Sequence, residues 1–554
     1  MVDLSAESKV WEHLALLVLF VTLLVMGPAN IWDKKIDHTH PYGLFAQDAF
    51  IFTSYQYYLS ESGNWHQLAP YLARGYTDII QSQPSVLEIL SVLLAQATGL
   101  GFFMTIYVIV MLLVLLAVFC FYFLVRSFNP KVALLSLPLN VLIFSAIFIQ
   151  AFTWGNWPFF VGSSMFVLFF WCLNNIKKRL VPALGSLTMA AIAFGHTSEY
   201  IFIAPLLGFI LLVDVVSRTF QWQEWKRIAG MVLGSVLIAG YYLIIFSGTF
   251  LHHAQAQFLT PKSQGLSLFV SITTPGVLLA VAVGIGAAIG VLMLRKHRVL
   301  QIAFVLLLIG FTNYIGTGKR GLETRFLWPI YLSVFFGLLL YLILSWILKH
   351  RLSLRVCALI SIAFTVFFAH QYYLPISSHG LLPKESWQAM EWVGHETPRN
   401  ATIFYFLGDA YDQAGVLFNT QRLTSVILPD EYISLIRSNQ LRRMVKVERV
   451  SDRTNAYPYR KGLFSFGFHQ LEDAVESRVL VDLCSFDYYV LDKISYYMIP
   501  LLHQRIPEIN PDISTYNLPI AHHFMTKANF TKAYENGGVL VLKNPQPGGE
   551  CIVQ

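Results

Sequence analysis

Long apolar runs follow one another through roughly the first 370 residues of the chain. A run of about 20 apolar residues is the length of helix that crosses the hydrocarbon core of a bilayer. The chain is 55% hydrophobic and only 13% charged, whereas soluble domains carry about 25% charged residues. We therefore expect a polytopic α-helical membrane protein with about 11–13 spans. The runs are 11–26, 101–125, 132–152, 157–173, 180–194, 200–216, 228–247, 270–294, 299–315, 326–347 and 356–368.

Basic residues indicate which ends of these runs face the cytoplasm. One further run, 84–100, is apolar but short, and it carries Glu88 and Gln96. If this run does not cross the membrane, five basic loops fall on the same side as the N-terminus, which is then the cytoplasmic side. We therefore predict an interfacial or re-entrant helix at 84–100, with a spanning helix as the alternative. The basic loop residues are Arg126 and Lys131; Lys177, Lys178 and Arg179; Arg218, Lys226 and Arg227; Arg295, Lys296 and Arg298; and Lys349, Arg351 and Arg355.

The opposite side of the membrane collects the long loops and most of the ionisable residues outside the basic loops. It receives the first loop, 30–83, the short loops 195–200 and 316–325, and everything after about residue 371. We predict a multi-pass protein of the cell membrane with a cytoplasmic N-terminus and an extracytoplasmic C-terminal part. In a eukaryote the same topology would place that part in the lumen of the endoplasmic reticulum. The formal charge of +7 does not indicate nucleic-acid binding, because many basic residues lie in the short loops.

The C-terminal part of the chain has a different pattern, and we divide the sequence into a membrane domain, 1–375, and a soluble extracytoplasmic α/β domain, 376–554. An amphipathic helix is expected at 387–393. Strands are expected at 401–406, within 479–491 and at 538–542, with helix over 430–450. Cys484 and Cys551 both lie in this domain and could pair if it faces an oxidising compartment.

Asp48 is the first candidate for a chemical role. It is the lone carboxylate in the apolar and aromatic stretch 43–59, just beyond the first span. It could cap a helix over 49–60, since Asp is favoured at that position. It could also act as a general base that takes a proton from an attacking hydroxyl, a role that contributes on the order of 10²–10⁴-fold to a rate. The two roles are compatible.

A basic cluster in the outer loop 316–325 is the second candidate. Lys319, Arg320 and Arg325 lie on the side of the membrane that should be poor in basic residues. Arginine and lysine at the end of a span can bind a phosphate group, arginine through a bidentate fork and lysine as a point charge. The alternatives are contacts with lipid head groups or an ion pair with Glu323.

Other polar residues at span ends are candidates for binding an acceptor or supporting the site. His196 and Glu199 lie in a polar break between two apolar runs, although a histidine there is often only a loop residue. Asn156 and Trp157 could line a sugar pocket, although aromatic belts are the more common reason for tryptophan at this depth. We see no HExxH, no acidic DxD pair in an outer loop and no nucleotide-binding motif, and we expect metal-independent chemistry without a bound cofactor.

Three local patterns resemble the GT-C superfamily of integral membrane glycosyltransferases. They are the acidic first outer loop, GLFAQDAFIF; the proline-led loop exit, SQPSVL; and the late arginine followed by an apolar span, ETRFLWPIYL. The resemblance covers roughly residues 1–375, and the C-terminal part resembles the extracytoplasmic domains of some members. It implies a base role for Asp48 and donor-phosphate binding by Arg325, with Lys319 and Arg320 matched less closely.

The resemblance further implies the reaction. We expect transfer of a single sugar, with inversion, from a polyprenyl-phosphate donor of the dolichyl or undecaprenyl type. The lipid-phosphate sugar is then a co-substrate, and the acceptor is a glycan, a lipid-linked glycan or a protein. Oligosaccharyltransferase subunits of similar architecture carry a WWDYG motif. The chain lacks it, which disfavours transfer of a whole oligosaccharide.

Two other classes of function remain open from the sequence. A transporter or flippase would place ionisable groups near the middle of the bilayer, but the apolar runs are nearly free of charge. Asp214 is an exception, and it lies close to the inner end of its run. A non-catalytic scaffold for lipid-linked glycans would leave Asp48 and the outer basic cluster unexplained.

Overall fold

A computed structural model gives the structure of the chain. It describes residues 6–31, 47–65, 86–144, 155, 157–258, 276–294, 297–311, 327–349, 352–372, 384–406, 422–449, 459–461, 468–470, 478–493 and 514–552.

The apolar part of the chain folds into a helical bundle, and each of the eleven apolar runs is helical over most of its described portion. The helices are α1 (Ala6–Ile31), α2 (Gln47–Ser62), α3 (Val86–Thr98), α4 (Phe102–Phe128), α5 (Pro130–Ser136) with a 3₁₀ helix (Leu137–Phe144), α6 (Trp157–Asn174), α7 (Val181–Gly195), α8 (Thr197–Val216), α9 (Trp222–Phe258), α10 (Val277–Met293), α11 (Arg298–Phe311), α12 (Trp328–Leu348) and α13 (Leu354–Tyr372).

Six segments of the described helices are long and apolar enough to cross a membrane: Lys9–Gly27, Phe102–Phe128, Trp157–Asn174, Glu199–Val216, Trp328–Leu348 and Leu354–Tyr372. Most of the other runs lie in shorter apolar helices. The fold is therefore that of a multi-pass α-helical membrane protein, as the sequence predicted. Helix α9 extends beyond its apolar run, 228–247, and continues to Phe258.

Helix α3 corresponds to the short apolar run 84–100, for which the sequence left both an interfacial or re-entrant helix and a spanning helix open. It contains 13 residues, which corresponds to a length of about 20 Å. That is shorter than a hydrocarbon core of about 30 Å. The length favours an interfacial or re-entrant helix, which stays a prediction.

The N-terminus and the basic loops meet at one end of the bundle. Glu12 of α1 accepts hydrogen bonds from Tyr122 (2.6 Å) and from Arg126 at the end of α4. Lys131 donates to the carbonyl of Leu352 (2.7 Å). Further contacts at this end join Arg355 to Trp11 (4.8 Å to the ring centroid), Phe128 to His297 (4.6 Å between ring centroids), Asn174 to Ser127 (3.1 Å), Lys177 to Glu224 (2.9 Å) and Arg298 to Asp214 (3.0 Å). The structure thus brings the basic loops to the same end of the bundle as the N-terminal helix, which is the arrangement on which the topology prediction rests.

Aromatic side chains mark the opposite end of the bundle. Phe103, at the start of α4, packs edge-to-face against Trp157 at the start of α6, with ring centroids 6.4 Å apart. The same ring contacts Trp387 of α14 (Lys384–Glu396) at 5.8 Å. Since α14 leads into the C-terminal domain, that domain attaches at the end remote from the basic loops.

The C-terminal domain is built on a mixed seven-stranded sheet with the strand order β6-β3-β2-β1-β7-β9-β8. Strand β1 pairs in parallel with β2 and β7, and the other pairs in this sheet are antiparallel. The strands are β1 (Thr402–Phe406), β2 (Leu423–Ile427), β3 (Met444–Arg449), β6 (Arg478–Asp482), β7 (Tyr488–Asp492), β8 (Thr531–Glu535) and β9 (Val539–Lys543). Two short strands, β4 (Tyr459–Lys461) and β5 (Phe468–Gln470), form a separate ladder.

The two faces of the large sheet are covered differently. Alternate residues such as Ile403 and Tyr405 point to the face covered by α14, and they belong to the same apolar core as the bundle. Phe404 and Phe406 point to a second core, which includes residues of α15 (Pro429–Ser438) and α16 (Ser514–Lys527). The helix expected over 430–450 is wrong in its second half, where Met444–Arg449 pairs as a strand with β2 and β6.

Cys484 and Cys551 form a disulfide across 67 residues of chain. The bond ties the C-terminal segment to the turn between β6 and β7. The pairing that the sequence left conditional is therefore present in the structure. Cys120, Cys172 and Cys357 remain free thiols in the helical part.

Candidate functional site

Asp48 lies in the first turn of α2, because this helix begins at Gln47. The capping interpretation placed the start of the helix two residues later, at 49, with Asp48 just before it. A carboxylate in the first turn of a helix is still favoured by the helix dipole. Position 48 precedes Phe52 and Tyr55 by one and two turns, so it lies on their side of α2. The Asp48 side chain itself is outside the described part of the structure.

Helix α2 packs against the aromatic end of the bundle. Tyr55 is buried in the common apolar core. Tyr57 packs edge-to-face on Phe102, with ring centroids 6.1 Å apart. Phe103, the next residue, contacts Trp157 and Trp387. The helix that carries Asp48 is therefore anchored at the same end of the bundle as the C-terminal domain.

His196 and Glu199 form a hydrogen-bonded pair at the junction of α7 and α8. His196 Nδ1 contacts Glu199 Oε2, and the Ser163 hydroxyl lies 3.4 Å from Glu199 Oε1. The Glu199 side chain is 2% exposed, whereas the His196 side chain is 29% exposed. The carboxylate is thus enclosed by partners, and the imidazole is the accessible member of the pair.

Close packing of α6 against the α7–α8 junction fixes this pair. A Cβ added to Gly162 would lie 2.7 Å from the His196 Cβ and 3.1 Å from Glu199 Oε2. The Phe159 ring, one turn earlier on α6, packs edge-to-face on His196 at 5.7 Å. Glycine at position 162 therefore allows the close approach that brings Ser163 to the carboxylate.

Trp157 lies at the start of α6 and is fully buried. Its described ring contact is with Phe103. The structure thus places Trp157 near the candidate site but leaves no part of its ring exposed for a ligand. Asn156, its partner in the sequence prediction, lies outside the described residues.

The basic cluster Lys319, Arg320 and Arg325 also lies outside the residues that the structure describes. The helix that follows it, α12, begins at Trp328. Tyr331, in the first turn of α12, donates a hydrogen bond to the carbonyl of Ser163 (3.2 Å). The helix that follows the predicted phosphate-binding loop therefore contacts the residue beside the His196–Glu199 pair.

Two of these contacts could not be found from the sequence. Ser163 lies within an unbroken apolar run, and nothing in its neighbours marks it as a partner of Glu199. Tyr331 lies in the quoted pattern ETRFLWPIYL, but only the arginine was singled out there. Over the described ranges, no group of three or more His, Cys, Asp and Glu side chains could hold a metal ion. The expectation of metal-independent chemistry remains a prediction.

No protein-family model matches the chain. A search of curated proteins also finds no match.

Solved structures do match over nearly the whole chain. ArnT from Cupriavidus metallidurans bound to undecaprenyl phosphate is 11% identical and has a TM-score of 0.56, with 98% of this chain and 99% of that chain covered. The apo oligosaccharyltransferase of Archaeoglobus fulgidus is 10% identical with a TM-score of 0.57, covering 98% and 89%. The arabinofuranosyltransferase AftD from Mycobacteria is 12% identical with a TM-score of 0.52, covering 96% of this chain but 40% of that one.

All three are GT-C membrane glycosyltransferases. At these identities the likeness concerns the fold, and it extends through both the helical bundle and the C-terminal domain. The resemblance inferred from three short sequence patterns is confirmed at that level: the chain shares the fold of these three solved proteins.

Proposed function

We propose that the protein is an inverting glycosyltransferase that moves a single sugar from a polyprenyl-phosphate donor to an acceptor at the outer face of the membrane. The observation that carries this proposal is the match to ArnT over 98% of this chain and 99% of that one, in a structure bound to undecaprenyl phosphate. The acceptor is a glycan, a lipid-linked glycan or a protein. The lipid-phosphate sugar serves as co-substrate, without a metal or a further cofactor.

Asp48 is the proposed base. Its carboxylate would take the proton from the acceptor hydroxyl as the oxygen attacks C1 of the sugar. An ordinary carboxylate pKa of about 3.9 suffices if the proton moves late, once the hydroxyl has become acidic. The position of Asp48 in the first turn of α2 supports the role, because the helix dipole there favours the ionised form.

Arg325, with Lys319 and Arg320, is proposed to bind the donor phosphate. The phosphate gains negative charge as the bond to C1 breaks, so cations held there stabilise the transition state. The contact between Tyr331 and Ser163 (3.2 Å) supports this role, since it links the start of α12 to the region of His196. His196, oriented by Glu199, is proposed to hydrogen-bond the acceptor or to support the site.

Charge and chain topology support the proposed outer location. The basic loops gather at the end of the bundle that carries the N-terminus, which the positive-inside rule assigns to the cytoplasm. The C-terminal domain attaches at the other end through Trp387. Its Cys484–Cys551 disulfide is of the kind that persists in oxidising compartments.

Transfer of a single sugar is favoured over transfer of a whole oligosaccharide. The oligosaccharyltransferase of Archaeoglobus fulgidus shares the fold, so the fold alone does not decide between them. The C-terminal part of the chain lacks the WWDYG motif that oligosaccharyltransferase subunits carry.

The decisive variant is Asp48→Asn, tested in proteoliposomes with undecaprenyl phosphate carrying mannose, glucose or arabinose. We expect transfer to fall by at least about 10²-fold, because the amide cannot accept the proton. Binding of undecaprenyl phosphate and the thermal midpoint should stay close to the wild-type values. Glu61→Gln is the matched control, since Glu61 is an exposed carboxylate on the same helix. Near-normal transfer by Asp48→Asn would show that the base is a different residue.

A further inference from the structure

Two polar side chains of α2 and α3 are buried without hydrogen-bond partners in the part of the chain that the structure describes. Glu88 on α3 is 1% exposed, and Gln56 on α2 is fully buried. Among the described residues, neither carboxyl oxygen of Glu88 and neither amide atom of Gln56 has a hydrogen-bond partner. Buried polar groups in folded proteins are nearly always hydrogen-bonded. Four such atoms in two adjacent helices therefore require an explanation.

The two helices that carry these side chains pack against each other and against α4. Within the described elements, α2 packs mainly against α3 and α4. Glu88 precedes Ser91 by one helical turn, and the Ser91 hydroxyl is hydrogen-bonded to Thr105 of α4. The face of α3 that carries Glu88 is thus turned toward α4. Thr53, one turn before Gln56 on α2, is also fully buried.

The closed junction is an unfavourable environment for these groups. The Ser91 hydroxyl is bonded to Thr105, and the carboxyl oxygens of Glu88 have no hydrogen-bond partner among the described residues. An isolated buried carboxyl group is held in its neutral form, because the ionised form loses its hydration without compensation. An unmade hydrogen bond in the interior raises the free energy of the packed state. Any ligand that supplies donors and acceptors at the junction recovers that free energy.

We propose that the junction of α2, α3 and α4 is a subsite for the donor's sugar, in which Glu88 and Gln56 bind sugar hydroxyl groups when α2 separates from α3. This inference rests on the proposed function. A sugar hydroxyl both donates and accepts, as do a neutral carboxyl group and a side-chain amide. An acyl chain of the lipid offers neither donor nor acceptor. Because α2 also carries Asp48 in its first turn, the motion that opens the subsite also moves the proposed base.

The test compares four variants in the full-length protein. Glu88→Leu and Gln56→Leu remove the polar atoms. Glu88→Gln keeps a polar group of the same shape. Gln96→Leu makes the same chemical change as Gln56→Leu at an exposed position of α3. Each is assayed for the KM of undecaprenyl phosphate carrying mannose, glucose or arabinose, for binding of undecaprenyl phosphate without a sugar, and for the thermal midpoint.

We expect both buried leucine variants to raise the donor KM by about tenfold or more, the effect of one or two lost hydrogen bonds. Their thermal midpoints should equal or exceed that of the wild type, because unsatisfied atoms are removed from the closed packing. Binding of the sugar-free lipid should not change, since the subsite takes the sugar. Glu88→Gln should stay near the wild-type KM, and Gln96→Leu should match the wild type in all three measurements.

Wild-type KM values in both leucine variants would overturn the subsite. So would a lower thermal midpoint in both, since it would mean that the polar groups stabilise the closed packing. Equal losses of sugar-free lipid binding and donor binding would overturn it as well. A wild-type protein that neither binds undecaprenyl phosphate nor transfers any of the three sugars overturns the proposed function and the subsite together. If the wild type transfers sugar and both buried leucine variants keep the wild-type donor KM, the subsite alone is overturned.

Discussion

Individual charged residues in the helical part are held in specific pairs at its basic end. Asp214, the exception noted in the apolar runs, accepts from Arg298 (3.0 Å) and from the Trp225 indole (3.2 Å). A buried charge is tolerated when it is paired and hydrogen-bonded. The sequence placed Asp214 near the inner end of its run but could not supply its partners, because Arg298 is 84 residues away. This pairing weighs against Asp214 as a transport residue.

One histidine of the C-terminal domain should make stability depend on pH. Burial, together with Lys527, holds the pKa of His523 below its usual range, and its Nε2 has no partner within the described residues. The folded protein then binds fewer protons than the unfolded chain, so stability is lost as the pH falls below about 6.5. Lowering the pH from 7.5 to 5.5 should reduce the thermal midpoint less in His523→Gln than in the wild type.

His522→Gln is the control for this measurement, because His522 is the exposed neighbour of His523. It should retain the full wild-type dependence on pH. An identical pH response in the wild type and in His523→Gln would show that His523 does not contribute to it.

Helices of the bundle approach one another where glycine removes a side chain. A Cβ on Gly286 of α10 would overlap the carbonyl oxygen of Phe335 on α12. A Cβ on Gly337 of α12 would lie 2.6 Å from the carbonyl oxygen of Val132 on α5. Small residues at such contacts let the backbones of membrane helices pack closely. The close packing of α12 against α10 and α5 therefore depends on Gly286 and Gly337.

Gly286→Ala should destabilise the bundle by about 1–3 kcal/mol, the usual effect of overpacking. The added methyl group must push α10 away from Phe335, and thermal unfolding in detergent measures the change. Gly284→Ala lies on the same helix with nothing within 4 Å of the added Cβ, so it should be neutral or slightly stabilising, because alanine favours a helix more than glycine does. Equal midpoints for the two variants would contradict the close contact between α10 and α12.

The elements differed in how far the sequence could predict them. Apolar runs predicted the helices of the bundle, because span length and hydrophobicity are local properties. The segment 430–450 was predicted less well. Its second half is strand β3, which is held by pairing with β2 and β6 from elsewhere in the chain. Local propensity cannot predict such pairing, since strand formation depends on neighbouring strands that are distant in the sequence.

The whole molecule has two chemically distinct ends. One gathers the N-terminus and basic loops, and the other gathers α2, the His196–Glu199 pair and the C-terminal domain. The sequence predicted this polarity because the charge distribution along the chain records it. It could not predict Ser163, Gln56 or Tyr331 as parts of the site region, because residues from separate helices meet there only in the fold.

The most direct measurement is a structure of the protein in lipid nanodiscs with undecaprenyl phosphate added. The proposed mechanism predicts phosphate density beside Arg325, within one sugar's length of the Asp48 carboxylate, so that base and leaving group face the same C1. Phosphate bound elsewhere, or Asp48 and Arg325 on unconnected surfaces of the protein, would contradict the proposed active site.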